Sequence, residues 1–306
     1  MIALANNKLV KLIFFGNYFY GLCAIGLSLE ATLQQRLPLN GFLYYVFIFL
    51  AVIVFYSKAY LITETSENSI NQRSAWYLRN SSKIKMSLAF FLALLVIMTL
   101  IFVINNQEAF IKLGFSEYFL ISIFPIVSTM YYGINYKSLA KYNLRNVGWL
   151  KPFIIGFSWA GLVTLYPRLF YCLDHEIPYT FTLISGLLFL KNFMYITVLC
   201  IMFDIKDYAM DYNQKLKTFV VNVGLRKTIF FIIIPLSLLG LFSFLVYAFI
   251  QHFSFFKILL NTIPFICIIT VAYSLHNRRS ILYYLIIIDG LMLLKAMCGI
   301  NAMIFF

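Results

Sequence analysis

Nine apolar runs, each long enough to cross a membrane, follow one another along this chain of 306 residues. A helix needs about 20 mostly apolar residues to span the hydrocarbon core of a bilayer, where its backbone polar groups must bond within the helix. Charged residues make up 11% of the sequence, whereas soluble chains carry about 25%. We therefore predict an all-α membrane protein with nine transmembrane helices. The predicted spans are residues 12–32, 41–62, 84–104, 115–135, 152–170, 179–203, 228–250, 255–275 and 281–303.

Lysine and arginine are distributed unevenly between the two sides of the predicted bundle. Eighteen lie in the N-terminal segment and in the connections after spans two, four, six and eight, four lie in the other connections, and two lie inside spans. Basic connections stay in the cytoplasm, so the bias predicts a cytoplasmic N-terminus and an outer C-terminus. This is typical of a multi-pass protein of a bacterial-type cytoplasmic membrane. We attribute the net charge of +13 to loops at an anionic leaflet, and not to nucleic-acid binding.

Three of only eleven acidic residues lie within eight positions, directly after the sixth apolar run. On a helix, Asp204, Asp207 and Asp211 fall within one narrow stripe. Three carboxylates on one stripe repel each other unless a cation lies between them, and Mg²⁺ commonly bridges carboxylates to substrate phosphates. The spacing alone leaves two interpretations, a Mg²⁺ site and a solvated polar loop.

A basic segment follows the carboxylates and contains Lys215 and Lys217. Carboxylates next to lysines fit a diphosphate ligand, because a metal neutralises part of its charge and the lysines neutralise the rest. Lysines at this position also bind anionic lipid headgroups. Both interpretations place the segment on the cytoplasmic side of the membrane.

The DxxDxxxD pattern of Asp204 to Asp211, with Lys217-Thr218 and Gly224 after it, is similar to the second aspartate-rich motif of the UbiA family of intramembrane prenyltransferases. The resemblance extends over the whole chain and implies a single UbiA-like transmembrane domain at 1–306. It also implies nine helices around a central cavity, with two aspartate-rich loops that hold Mg²⁺ on a polyprenyl diphosphate. The enzyme would transfer the prenyl group to a small, lipophilic acceptor.

The segment 142–152, which leads into span five, is similar to the fourth connection of that family. On the resemblance, Asp204, Asp207 and Asp211 are both the catalytic and the metal-binding residues. The further metal ligands are Glu64 and Glu67, and the candidates for binding the diphosphate are Asn68, Arg73, Arg145, Lys215 and Lys217.

The first loop departs from the family pattern, which expects three aspartates there. Aligned on the Asn and Arg that come after it, the loop has Leu61, Glu64 and Asn68 at those positions, and Glu67 replaces Asn68 if the register shifts. One interpretation is an active prenyltransferase with a weaker first metal site. The alternative is a diverged member that binds or moves an isoprenoid lipid without transferring it. A third interpretation, an unrelated transporter, predicts internal repeats, and none is evident.

Ionisable and amide side chains inside the predicted spans are functional candidates, because polar groups are costly in hydrocarbon. Lys191 and Asp289 have opposite charges and similar predicted depths, so we predict that they approach each other or share a polar network across the cavity. Glu30 and Lys295 are predicted to pair in the same way nearer the outer side. The polar residues predicted to face the cavity are Asn17, Lys191, Asn192 and Asp289.

Overall fold

The computed structural model describes residues 7–63, 72–132, 147–213, 215–277 and 279–306. These residues form helices and contain no strand. The helices are α1 (Lys8–Phe15), α2 (Tyr18–Gln34), α3 (Phe42–Thr63), α4 (Gln72–Arg79), α5 (Ser81–Asn105), α6 (Gln107–Ile111), α7 (Phe115–Tyr132), α8 (Lys151–Asp174), α9 (Leu183–Asn213), α10 (Phe219–Val223), α11 (Leu225–Ile250), α12 (Phe255–Ser274) and α13 (Ile281–Phe305).

Within the described residues, six helices are long and apolar enough to cross a membrane, namely α5, α8, α9, α11, α12 and α13. The pair α1 and α2 forms a seventh candidate, bent by 56°. The apolar stretches of α3 and α7, Phe42–Lys58 and Phe115–Tyr131, are shorter. The prediction of an all-α membrane protein is confirmed.

The bend between α1 and α2 is built on Asn17. Its φ of 65° is left-handed, a conformation that Asn tolerates better than most residues because its short polar side chain bonds locally. The side chain is fully buried, and its Nδ2 donates to Tyr77 Oη at 2.8 Å and to Ser57 Oγ at 3.1 Å. The break in the first span is therefore stabilised by hydrogen bonds to two other helices.

The bundle is organised around α9, which packs against α8 on one side and α11 on the other. The last helix, α13, packs against α2 and α12. Residues from these helices, including Leu27, Ile201 and Ala296, are completely or almost completely buried in the main apolar core. In contrast, no residue of α5 is buried, as expected for a peripheral helix that contacts lipid. The core helices α2, α8, α9 and α13 therefore surround the interior of the bundle.

Three spans each contain a five-residue π-helical segment, at Gly161–Leu165, Ile229–Ile233 and Tyr284–Ile288. A π turn inserts one extra residue into an α-helix and rotates the next turns about the helix axis, and such turns are frequent at functional sites. The third one ends directly before Asp289.

Gly156 lies where α8 packs closely on α9. A methyl group at this position would lie against Thr197 Oγ1 and 3.0 Å from the backbone oxygen of Phe193. We expect Gly156→Ala to lower the free energy of unfolding by about 1–3 kcal/mol, because overpacking forces one helix away from the other. Thermal unfolding in detergent measures this effect.

Gly290→Ala is the matched control, because a methyl group there meets no heavy atom within 4 Å. Alanine also has the higher helix propensity, so this variant should unfold at the same temperature as the wild type or above it. Equal unfolding temperatures for the two variants would contradict the close approach of α8 and α9.

Candidate active site

The structure contains a cavity of about 880 Å³, counting the space that continues into solvent at its mouth. One face of α9 forms a wall, with Ile196, Leu199, Cys200, Phe203, Lys206 and Asp207. These positions recur every three or four residues, which is the spacing of one helical face. Polar groups lie toward the C-terminal end of that wall, and apolar groups lie deeper.

The cavity brings together charged groups from four separate helices. Besides Asp207 of α9, its lining includes Arg73 of α4, Lys151 of α8 and Asp289 of α13. Three of these four residues were singled out from the sequence as candidate site residues. Lys151 was not, although it lies in the segment that resembles the family's fourth connection.

Asp204 is fully buried beside the cavity and is paired with Lys151. The Lys151 ammonium donates to Asp204 Oδ1 at 2.7 Å. The second oxygen, Oδ2, is buried without a hydrogen-bond partner. Because an unpaired buried carboxylate oxygen carries a desolvation cost, it is a preferred position for a cation.

Asp211 is the third carboxylate of the stripe and lies one turn beyond Asp207. It is 5% exposed, and its Oδ2 atom also has no hydrogen-bond partner. Burial raises the pKa of Asp211 to about 6, although the Lys151 ammonium nearby lowers it. A bound cation would favour the ionised form and offset this cost.

Asp207 differs from its two neighbours because it faces the open cavity. Its side chain is 29% exposed, and Lys206 Nζ lies 2.8 Å from Oδ1. Asp207 is therefore the carboxylate of the stripe that an entering ligand meets.

Arg73 reaches the cavity from α4 and is held there by several contacts. It donates to Tyr60 Oη at 2.8 Å and to Asn17 Oδ1 at 2.5 Å, and its guanidinium lies 4.1 Å from the centre of the Tyr60 ring. The bend at Asn17 thus positions the arginine. Asn17 bonds to neighbouring helices, but it does not line the cavity that it was predicted to face.

Asp289 lines the cavity, directly after the π turn of α13. Tyr20 and Arg73 line the same cavity. Asp289 therefore lies where the charged part of the cavity meets its aromatic part.

Aromatic side chains form much of the remaining wall. Tyr20 and Tyr56 stack with their ring centres 4.7 Å apart, and Trp159 Nε1 donates to Tyr56 Oη at 2.8 Å. Composition predicts many aromatics but does not say which ones meet, since 19% of the residues are Phe, Trp or Tyr. The paired rings leave an apolar surface below the charged groups.

The predicted pairing of Lys191 with Asp289 is wrong. Lys191 donates to Glu30 Oε1 at 2.8 Å and to Gln34 Oε1 at 2.5 Å, so its flexible stem carries the ammonium away from the cavity. Neither Lys191 nor Asn192 lines the cavity, and Asn192 Nδ2 donates to Thr164 instead. The predicted pair of Glu30 and Lys295 is confirmed at 2.6 Å.

Lys215 and Lys217 are not part of the cavity lining, and Lys215 is exposed. The backbone at Lys217 and Thr218 packs on Gly148, where an added methyl group would lie 2.7 Å from the Lys217 carbonyl carbon. The two segments that resemble family motifs are thereby joined. The other candidates, Glu64, Glu67, Asn68 and Arg145, lie outside the described residues.

The donor set fits a hard cation in part. Asp204 and Asp211 each offer a buried oxygen without a partner, and Asp207 faces the cavity. In the described ranges, however, no three His, Cys, Asp or Glu side chains are arranged around one metal position. The donors are all carboxylate oxygens, and Mg²⁺ prefers oxygen ligands, so the chemistry of the donors suits this ion.

No protein-family model and no curated protein matches the sequence. The structure is similar to a solved structure of digeranylgeranylglyceryl phosphate synthase in membranes, a UbiA-family prenyltransferase. The TM-score is 0.59 at 14% identity, and the match covers 98% of this chain and 99% of that one. A likeness at this identity is one of fold. The resemblance of this chain to the UbiA family of intramembrane prenyltransferases is thereby confirmed as a likeness of the whole fold.

Proposed function

We propose that this protein transfers a prenyl group from a polyprenyl diphosphate to a small, lipophilic acceptor within the membrane, with Mg²⁺. The observation that carries the proposal is the arrangement of the cavity. Asp207, Arg73 and Lys151 supply charges of both signs at its polar end, and aromatic rings line the part below. An amphiphile with a diphosphate head and an apolar tail matches this division.

Each charged group has a role in the proposal. Asp204, Asp207 and Asp211 hold Mg²⁺, which supplies charge neutralisation to the leaving diphosphate when it is bound. Glu64 and Glu67 complete the metal site from the first loop. Asn68, Arg73, Arg145, Lys151, Lys215 and Lys217 are the proposed contacts to the phosphates.

In the proposed reaction, the bond between the allylic carbon and the diphosphate oxygen breaks, and the diphosphate leaves with the electron pair. A nucleophilic atom of the acceptor then bonds to the allylic cation and loses a proton. Tyr20, Tyr56 and Trp159 stabilise the cation through the faces of their rings. Burial of the cavity in the membrane excludes water, which would otherwise capture the cation.

We also propose that the chain crosses the membrane nine times as a single UbiA-like domain over 1–306. The seven candidate crossings and the shorter apolar helices α3 and α7 together support this number. The lysine and arginine bias supports a cytoplasmic N-terminus and an outer C-terminus. The carboxylates would then face the cytoplasm.

A second candidate function is the binding or movement of an isoprenoid lipid without transfer. The contact that favours it is the ion pair of Lys151 with Asp204 at 2.7 Å. A lysine that neutralises this carboxylate permanently would replace part of the charge that a metal supplies. The prenyl diphosphate would then bind, but the bond between its allylic carbon and the diphosphate oxygen would not break.

The test incubates purified protein in detergent with a panel of radiolabelled prenyl diphosphates, lipophilic acceptors and Mg²⁺. We expect diphosphate release and labelled lipid product, and loss of both when EDTA removes the metal. Binding of the diphosphates without release, whether or not Mg²⁺ is present, would favour the second candidate. Absence of both binding and release would contradict each of them.

A further inference from the structure

A cluster of buried polar side chains lies deeper in the bundle than the cavity. It consists of Glu30 and Gln34 of α2, Lys191 of α9 and Lys295 of α13, and we call it the polar plug. Lys191 donates to Glu30 Oε1 at 2.8 Å, and Lys295 donates to Glu30 Oε2 at 2.6 Å. All four side chains are at most 3% exposed. The plug therefore joins three helices of the core through groups of full charge.

The polar plug lies beyond the deep end of the cavity, toward the N-terminal end of α9 and the C-terminal end of α13. On α13, the cavity-lining Met292 is followed three residues later by Lys295, which is about 5 Å along the helix axis. On α9, the cavity-lining Ile196 is preceded five residues earlier by Lys191, which is about 8 Å along the axis. Both helices thus change from cavity wall to charged plug within about one and a half turns.

Further contacts extend the polar plug into a layer of polar groups between the cavity and the opposite end of the bundle. Gln34 Nε2 donates to Asn261 Oδ1 of α12 at 2.9 Å, and Tyr247 Oη of α11 donates to the backbone oxygen of Gln34 at 2.6 Å. Tyr195 packs its ring 5.6 Å from Lys295 Nζ. Five helices therefore contribute to a polar layer at this depth.

An apolar chain cannot enter such a layer without separating charged groups from their partners. Separated charges in the interior of a membrane protein carry a large desolvation cost. The cavity above is lined by Ile196, Leu199 and Met292, which suit a hydrocarbon tail. A hydrocarbon tail can therefore occupy the apolar part of the cavity but cannot extend into the polar plug.

We infer that the polar plug is the floor of the prenyl-binding cavity and sets the longest prenyl chain that it accepts. The inference rests on the proposed function, because it assigns the apolar part of the cavity to the tail of the prenyl donor. Glu30, Lys191 and Lys295 are specificity-determining residues and do not contact the reacting atoms.

The charge balance of the plug provides a variant that tests this role. Two lysines face one glutamate, so removal of Lys295 leaves the neutral pair of Glu30 and Lys191 in place. Lys295→Ala removes most of a side chain about one turn beyond Met292, and we expect the space that it leaves to extend the cavity. Lys295→Met is the matched control, because it removes the charge but keeps nearly the same length and volume.

The experiment measures the Kd of a series of saturated alkyl diphosphates of increasing length, with Mg²⁺, by calorimetry in detergent. For the wild type, affinity should rise about fourfold with each added CH₂ group until the chain reaches the plug, and then stop rising. In Lys295→Ala the affinity should continue to rise for about three further CH₂ groups. An alkyl diphosphate of that length should bind this variant tenfold or more tightly than it binds the wild type. Lys295→Met should stop at the wild-type length.

A second series on the wild type needs no variant and decides the question if Lys295→Ala does not fold. Alkyl diphosphates that end in a hydroxyl group should bind at least tenfold more weakly than their methyl counterparts while the chain end lies in the apolar part. At the limiting length this penalty should disappear, because the hydroxyl then bonds to the plug.

Affinity that rises without limit in the wild type, with no recovery for the hydroxyl series, would overturn the inference, since the tail would then leave between helices into lipid. The inference would also be overturned if the affinities of Lys295→Ala and Lys295→Met both stop rising at the wild-type chain length. A limiting length without any prenyl transfer would leave the floor in place and contradict only the enzymatic proposal. No binding of any alkyl diphosphate would contradict both.

Discussion

Asp207→Asn is expected to lower kcat/KM for prenyl transfer by about 10²–10³-fold, because a metal-held leaving group contributes several kcal/mol to the transition state. Asp207 is the carboxylate of the α9 stripe that lines the cavity. Its side chain is 29% exposed, so loss of its charge should leave the unfolding temperature nearly unchanged. Initial rates of diphosphate release at several Mg²⁺ concentrations measure the effect.

The matched control is Asp174→Asn, which removes an exposed carboxylate at the end of α8 opposite Lys151. This variant should retain wild-type kinetics and wild-type dependence on Mg²⁺. Equal activities of Asp207→Asn and Asp174→Asn would remove the basis for a metal centre on the α9 stripe.

Glu30→Ala is expected to lower the free energy of unfolding by about 3–5 kcal/mol, because it leaves the buried ammonium groups of Lys191 and Lys295 without their anion. Both lysines are at most 3% exposed, so water cannot replace the carboxylate. Thermal unfolding in detergent, followed by circular dichroism or light scattering, measures the loss.

The control for Glu30→Ala is the triple variant Glu30→Leu with Lys191→Met and Lys295→Met. It removes all three charges together and keeps the volume of the cluster, and such replacements are often neutral or stabilising by about 1–4 kcal/mol. We expect the triple variant to unfold at or above the wild-type temperature. If Glu30→Ala also unfolds at or above the wild-type temperature, the two lysines are not charged in the folded protein.

The all-α organisation of the chain could be read from the sequence in large part. A long apolar run has one stable conformation in hydrocarbon, because only a helix pairs its own backbone groups there. The helices of the structure coincide with the predicted runs to within a few residues at most ends, as α12 illustrates. The bend at Asn17 was not predicted, because a left-handed backbone conformation at one residue does not change the hydropathy of the sequence.

The stripe of carboxylates could also be predicted, because it depends only on the period of a single helix. Asp204, Asp207 and Asp211 lie on one face wherever that helix packs. Their environments could not be predicted. The structure buries Asp204 against Lys151, but leaves Asp207 partly exposed in the cavity.

The partner of Lys191 is the clearest case in which the tertiary structure decided. Similar depth and opposite charge favoured Asp289, but a long lysine stem can direct its ammonium up or down the bundle, and packing chose Glu30. The sequence by itself therefore determined the helices, their apolar character and the acidic stripe, because each depends on local periodicity and composition. Only the tertiary structure decided which charges meet, because those distances depend on how separate helices pack and on the direction that each side chain takes between them.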